Sequence, residues 1–292
     1  ELDEKAMLER FVELVRERDP DVIEGHNIFN FDLPYIAARA ARHRVKLALG
    51  RDGSVPRRRA SRFSAAERVI AYERCDVFGR HIVDTLFLTQ SYDAIHRSLD
   101  GYGLKDVAVH FGFAQKNRTY IDGAQISETY RRDPDTVMAY VQDDVLETRA
   151  LSDLLSRSSF IQAQMLPETY QNVCVRGTAT RIDGLMVREY LRCGHALPIP
   201  GEQRGLAGGY TAMFVQGVVQ NVHHCDVRSL YPSLMLSQHI GPANDELDVF
   251  LQMLDVLRTF RVEAKQRMRD AEDAARKRHY DALQSTFKIL IN

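Results

Sequence analysis

The chain has 292 residues, 45% of them hydrophobic and 27% charged, which bounds it to about two folded domains and excludes wholesale disorder, a collagen-like repeat or a small stapled scaffold. Net charge is −1, from 39 Lys+Arg against 40 Asp+Glu, so the protein is not basic throughout, although basic grooves opposite acidic metal sites stay compatible with that balance. No apolar run reaches membrane-spanning length, no leader follows Glu1, and Cys75, Cys174, Cys193 and Cys225 form no C-x-x-C pair; the expectation is a cytoplasmic chain with reduced thiols, processed or a fragment.

Leu8, Val12, Leu14 and Val15 recur at helical spacing before Asp19-Pro20 stops them, and Val22-Ile23 opens a short strand. The chain then reaches Asp32, which reads as the N-cap of a helix with Pro34 in its first turn. Residues 50–62, with Asp52-Gly53 and Arg57-Arg58-Arg59, show no periodicity and read as a mobile basic loop. A β-rich run follows over residues 81–87, and Val107, Phe111, Val137, Val141, Val145 and Leu151 supply helical apolar stripes up to about residue 157. Strands alternating with helices predict an α/β domain. A mixed connector over 158–204 leads to the glycines of 205–209, a boundary to a second domain. Residues 215–227 alternate as two strands would, Pro232 opens a helix, and residues 247–280 are long, charged and helical.

The most specific string is Asp226-Val227-Arg228-Ser229-Leu230-Tyr231-Pro232-Ser233. Its six fixed positions arise by chance on the order of once per 10⁷ to 10⁸ windows. A carboxylate on a strand end holds divalent metal, and the helix N-terminus that follows offers free N–H groups to phosphates. Two further strings accompany it: Asn27-Ile28-Phe29-Asn30-Phe31-Asp32, and Tyr140-Val141-Gln142-Asp143-Asp144, which sets Tyr140 and Asp144 four apart on one helical face. Taken alone, Asp32 is also an ordinary helix cap.

In that order the strings resemble the second and third exonuclease motifs, N-x(2–3)-F/Y-D and Y-x-x-x-D, and motif A, D-x-x-S-L-Y-P-S, of the family B DNA polymerases. Gly208-Gly209-Tyr210 resembles the family's Y-x-G-G/A segment, with Leu206 where its tyrosine is expected. Arg261-x-x-x-Lys265 and Lys288-x-x-x-Asn292 match the family's fingers, each pair on one helix face. The resemblance implies a multidomain α/β and α+β chain: an RNase H-like 3′–5′ exonuclease domain over 1–157, a connector over 158–204, the start of the palm over 205–247 and helical fingers over 248–292. It implies catalytic roles for Asp226, Asp32, Asp144 and Tyr140, and nucleotide contacts for Ser229, Leu230, Tyr231, Arg261, Lys265, Lys288 and Asn292. DNA contacts fall to Asn27, Gly208, Gly209 and Tyr210, and metal contacts to Asp32, Asp144, Asp226 and Val227.

The cofactor so implied is Mg²⁺, two ions per active site, with Mn²⁺ able to substitute. The partners are primer-template DNA and dNTP, with a sliding clamp or accessory subunits in the full-length protein, and no membrane; a bacterial or archaeal source implies a cytoplasmic, nucleoid-associated enzyme. A D-x-E motif is expected before residue 1 and a D-T-D motif after residue 292, since two-metal catalysis needs clustered carboxylates. Two other readings stand beside this one: a stand-alone RNase H-like 3′–5′ exonuclease, and a catalytically inactive polymerase relative acting as a DNA-binding scaffold.

Overall fold

The computed structural model describes residues 3–65, 68–201, 210–225, 227 and 229–291. Their contacts divide the chain into two compact units, Glu1–Arg181 and Ile182–Asn292. The first contains α1 (Glu4–Arg18), β1 (Val22–Gly25), α2 (Asp32–Arg42), β2 (Arg57–Ala65), β3 (Arg68–Asp76), β4 (His81–Asp84), α3 (Thr85–His96) and α4 (Leu104–His110). It continues through α5 (Ile126–Arg132), α6 (Pro134–Leu155), α7 (Arg157–Met165) and α8 (Tyr170–Val175), and ends inside α9 (Thr178–Arg192).

Asp3 starts α1 by accepting the Ala6 N–H at 2.7 Å, and the helix buries Leu8 and Val12, the stripe that its period selects. β1 pairs in parallel with β4, Val22 opposite His81 and Gly25 opposite Asp84. A parallel pair needs cover on both faces. Part of that cover is an aromatic cluster: the Phe63 and Phe87 rings stack 4.3 Å apart, and Tyr72 meets Phe87 edge-on at 4.9 Å. Phe29 closes the cluster, and all four rings are buried, each stabilising the fold by about 1.5–3 kcal/mol.

Two buried polar side chains fix where β4 lies. Arg80 donates to the carbonyls of Leu49 (2.9 Å) and Pro20 (2.5 Å) and to Asp19 Oδ1 (2.9 Å), tying the entry of β1 to that of β4. Gln171 accepts the Ile82 N–H at 2.9 Å and donates to the Cys75 carbonyl at 2.9 Å. Because Gln171, Tyr170, Cys174 and Val175 are buried against this sheet, the first unit runs past residue 157 to Arg181, and the stretch expected as a connector carries α7, α8 and α9.

Several local expectations change. Phe31, not Asp32, is the N-cap of α2; Asp32 is the first helical residue and Pro34 lies in the first turn, where its missing N–H has no partner to lose. The basic stretch is no loop from Arg57 onward. It forms a nine-residue ribbon, β2 antiparallel to β3 with Arg57 opposite Asp76, because Phe63 and Ala65 turn inward while Arg58 pairs with Glu73 and Arg59 with Asp76. On α6, Val137 and Leu151 are buried but Val141 and Val145 are exposed, since each step of four residues carries the row about 40° off the buried stripe.

The second unit contains the rest of α9, α10 (Leu230–Ser237), α11 (Val249–Asp270) and α12 (Ala274–Ile291). The Tyr190 hydroxyl donates to Asp245 Oδ1 at 2.6 Å, and Asp245 Oδ2 accepts the Phe250 N–H at 2.7 Å, which sets the start of α11. α11 and α12 form a hairpin across residues 271–273, its seam filled by Leu254, Leu257, Ala264, Phe287 and Leu290. Pro232 stands third in α10, after Leu230 and Tyr231. Residues 210–225 are neither helix nor strand, unlike the two strands their alternation predicts; their apolar side chains, Val218 above all, remain exposed, so no sheet face rewards the pairing. Among the described residues no helix is long and apolar enough to cross a membrane.

Candidate functional site

The first unit brings its predicted residues to two places. One is the corner that leads from β1 into α2. A Cβ on Gly25 would meet the Ile28 Cβ at 2.8 Å, and Asn27 is left-handed at φ 67°, so only a short, permissive pair of residues makes this turn. The Asn27 carbonyl accepts the N–H groups of Asn30 (3.2 Å) and Phe31 (3.0 Å), while its side-chain oxygen accepts Asn30 Nδ2 at 3.1 Å. Asp32 therefore begins α2 half-buried, where burial raises its carboxyl above the ordinary aspartate range. Among the described residues it forms no ion pair. The Phe31 and Tyr35 rings flank it, stacked 6.0 Å apart and both exposed.

Beneath this corner lies a group that the sequence reading missed. Asp84 ends β4, is 1% exposed, and accepts the N–H groups of Asn27 (2.8 Å), Leu86 (3.0 Å) and Phe29 (3.3 Å). Burial, with a smaller push from the nearby Asp32 charge, outweighs the three donors and raises its carboxyl to about 6. Next to it, His26 bonds Thr85 Oγ1 at 2.9 Å through Nδ1 and the Tyr102 carbonyl at 2.8 Å through Nε2. A carbonyl can only accept, so Nε2 carries a hydrogen, and the Thr85 hydroxyl that meets Nδ1 also donates to the Gly25 carbonyl at 3.3 Å. Burial lowers the pKa of this imidazole. The only local signal for Asp84 is an aspartate at the end of a β-rich run with a helix behind it, which is a cap signature.

The second place is one face of α6. Tyr140 and Asp144 stand one turn apart, both half-buried, and Arg118 lies against them. Arg118 Nη2 donates to Asp144 Oδ1 at 2.5 Å and to Glu147 Oε2 at 2.9 Å, and Nε donates to Glu147 Oε1 at 2.6 Å. The Lys105 ammonium is 4.8 Å from the Tyr140 ring centre and the Arg118 guanidinium 5.8 Å. Arg118 and Glu147 also escaped the sequence reading; Glu147 is one turn beyond Asp144, but nothing local marks Arg118. The two places act on neighbouring residues: the charge of Asp32 reaches Asp84, and that of Asp144 reaches His26.

In the second unit, Ser229 is left-handed at φ 52° and starts α10, so Leu230 and Tyr231 form its first turn with Tyr231 64% exposed. Arg261 Nη1 on α11 donates to Ser229 Oγ at 3.0 Å, joining two of the predicted nucleotide-contact residues. Lys265, Lys288, Val227 and Tyr210 are exposed. Asp226, Gly208, Gly209 and Asn292 lie outside the described residues.

A sequence profile described as the DNA polymerase family B exonuclease domain matches residues 1–107. DNA polymerase 1 of Pyrococcus abyssi is 26% identical over 321 residues, an alignment that takes in 99% of this chain. The chain is thus similar to family B DNA polymerases along nearly its whole length, and to their exonuclease domain over its first 107 residues. The DNA polymerase of Thermococcus gorgonarius is 27% identical over 322 residues and 99% of the chain, and that of Archaeoglobus fulgidus 28% over 250 residues and 82%. The solved family B DNA polymerase of Pyrobaculum calidifontis shares the fold, with a TM-score of 0.69 at 20% identity across 99% of this chain. The chain spans 40% of the length of the Pyrococcus and Thermococcus relatives and 40% of the Pyrobaculum chain.

Among the described residues no cluster of three or more His, Cys, Asp and Glu is arranged to hold a metal. Asp32, half-buried and without an ion pair among the described residues, is a carboxylate of the kind that Mg²⁺ takes together with water and substrate phosphate, whereas Asp144 Oδ1 is engaged by Arg118.

Proposed function

We propose that this chain is part of a template-directed DNA polymerase with 3′–5′ proofreading, the first unit removing nucleotides from a 3′ end and the second helping to bind the incoming dNTP. In this reading residues 205–247 begin the palm, and the α11–α12 hairpin belongs to the fingers. The observation that carries the polymerase half is the Arg261–Ser229 bond: it sets a guanidinium beside the N-terminus of α10, where free N–H groups and a fixed cation suit triphosphate oxygens. Lys265 and Lys288 add exposed positive charge for the same phosphates. Tyr231, exposed in the first turn of α10, would close off the space of a ribose 2′-OH.

For the exonuclease half, the fields of Asp32 and Asp144 acting on adjoining residues 84 and 26 support a common cleft. Asp32 and Asp144 would hold Mg²⁺ there, and Asp226 with the Val227 carbonyl in the polymerase site; Mn²⁺ is an acceptable substitute. The metal supplies charge stabilisation to the phosphodiester and acidifies water. Tyr140 contributes a hydroxyl to orient that water, with Lys105 and Arg118 keeping positive charge near its ring. The exposed Phe31 and Tyr35 rings offer stacking surface to unpaired bases, and Asn27 a polar contact to the strand. Glycines 208 and 209 with Tyr210 complete the DNA contacts, and primer-template DNA, dNTP and a sliding clamp are the partners.

The test uses the natural polypeptide that carries this chain, in primer extension and in 3′ degradation of single-stranded DNA. Asp226→Ala should lose extension and keep degradation, whereas Asp32→Ala or Asp144→Ala should do the reverse, each loss being at least on the order of 10²–10³-fold. Chelation of divalent metal should stop both. Degradation without any metal-dependent extension in the parent would favour a stand-alone exonuclease, and neither activity a scaffold.

A further inference from the structure

We propose that Asp84 is a positioning residue of the exonuclease site: its buried carboxylate holds the backbone of residues 27–29 and so sets where Asp32 stands. This rests on the exonuclease reading above. The corner is braced from within by the Asn27 carbonyl and by the Leu33 N–H, which donates to the Ile28 carbonyl at 3.0 Å. Its tie to the sheet is different in kind. Asp84 belongs to β4, opposite Gly25 in the parallel register, and its two oxygens take N–H groups from both sides: Asn27 and Phe29 on the corner, Leu86 on α3. Among the described residues no cation pairs with it.

Three N–H donors converging on one buried side chain specify an acceptor-only group, and a carboxylate is the side chain that has no donor of its own. An amide in its place keeps the shape but turns an NH₂ toward one of those N–H groups. One buried donor then loses its partner, and the corner has to shift to relieve it. Asp32 is three residues beyond Phe29, at the first position of α2, so a shift of the corner moves the carboxylate itself. A misplacement of about 1 Å at a reacting centre costs on the order of 10²-fold in rate. Asp84 touches no substrate in this account; it acts through Asp32.

The experiment compares parent, Asp84→Asn, Asp84→Ala and Asp32→Ala forms of the natural polypeptide on a single-stranded oligodeoxynucleotide across a Mg²⁺ titration. Primer extension on the same preparations reports the intact fold. For Asp84→Asn the expected result is a single-turnover degradation rate down about 10–100-fold, a half-saturating Mg²⁺ concentration raised about 10-fold or more, KM for the oligonucleotide within about threefold, and unchanged extension. Asp84→Ala should lose more of the rate with the same change in Mg²⁺ dependence. A Mg²⁺ requirement that stays at the parental value in Asp84→Asn, whatever its rate, overturns the proposal, because a merely structural defect lowers active fraction without touching metal affinity. If Asp32→Ala degrades DNA at the parental rate, the exonuclease reading falls instead.

Discussion

Replacing Arg118 with methionine tests how the Asp144 face of α6 is held. The guanidinium is 1% exposed and supplies both bonds to Glu147, at 2.6 and 2.9 Å, while Glu147 itself is 4% exposed. Arg118→Met leaves that carboxylate buried and unpaired, which costs about 3–5 kcal/mol. The bond to Asp144 adds little to the sum, because that side chain is 30% exposed and water replaces the partner. In a unit of this size each kcal/mol lowers Tm by about 2–4 °C, so the variant should melt roughly 6–20 °C below the parent. Arg118→Met with Glu147→Met removes the orphaned charge as well as its partner and should recover to within about 1–2 kcal/mol of the parent. Urea unfolding followed by circular dichroism measures both variants, and amide hydrogen exchange along α6 shows where the loss resides. A single variant that costs less than about 1 kcal/mol, or a double variant no more stable than the single one, would refute the view of Arg118–Glu147 as a buried, mutually dependent pair.

Phe87→Ala, which empties the stack on Phe63, should cost about 3–5 kcal/mol; calorimetry showing less than 1 kcal/mol would mean the cluster is not the core of the first unit. Glu4 is held at about 2 by its bonds to Arg39 and, after opposing desolvation, to His43. Its contribution to joining α1 and α2 is present above its ordinary value of 4.5 and is lost as pH falls towards 2. Glu4→Gln should therefore be less stable than the parent at pH 7 and equal to it near pH 2, and parallel stability curves would remove Glu4 from the account. In the natural polypeptide, Arg261→Ala should raise KM for dNTP about 10–100-fold, as loss of a charge-assisted hydrogen bond does, and an unchanged KM would dissociate Arg261 from phosphate binding. Tyr231→Ala should admit ribonucleotides in primer extension; equal incorporation by parent and variant would leave Tyr231 a packing residue.

The elements with a clean period were legible in the residues. Leu8 and Val12 mark α1, Val22 and Ile23 mark β1, and the Asn27 to Asp32 string marks the corner. What escaped is structure specified by partners remote in sequence. Arg57, Arg58 and Arg59 carry no apolar alternation, and their strand exists because Glu73 and Asp76 lie across the ladder in a register that only the fold supplies. Asp84 and Arg118 read as ordinary polar residues until burial and the arriving N–H and carboxylate groups give them a role. The alternation expected over 215–227 shows the converse: its described residues 215–225 carry a strand pattern, stay exposed and form no strand.

The parallel register of β1 with β4 also carries a consequence for synthesis. Gly25 meets Asp84 only after α2 and the whole β2–β3 ribbon have left the ribosome, so the corner bearing Asp32 emerges long before the residue that fastens it. Closing a loop of that length is entropically costly, and parallel pairing across it is slow. Gln171, later still in the chain, completes the edge by taking the Ile82 N–H. The nascent chain thus exposes Phe29 until Tyr72 and Phe87 have emerged to pack on it, a window in which aggregation competes with folding.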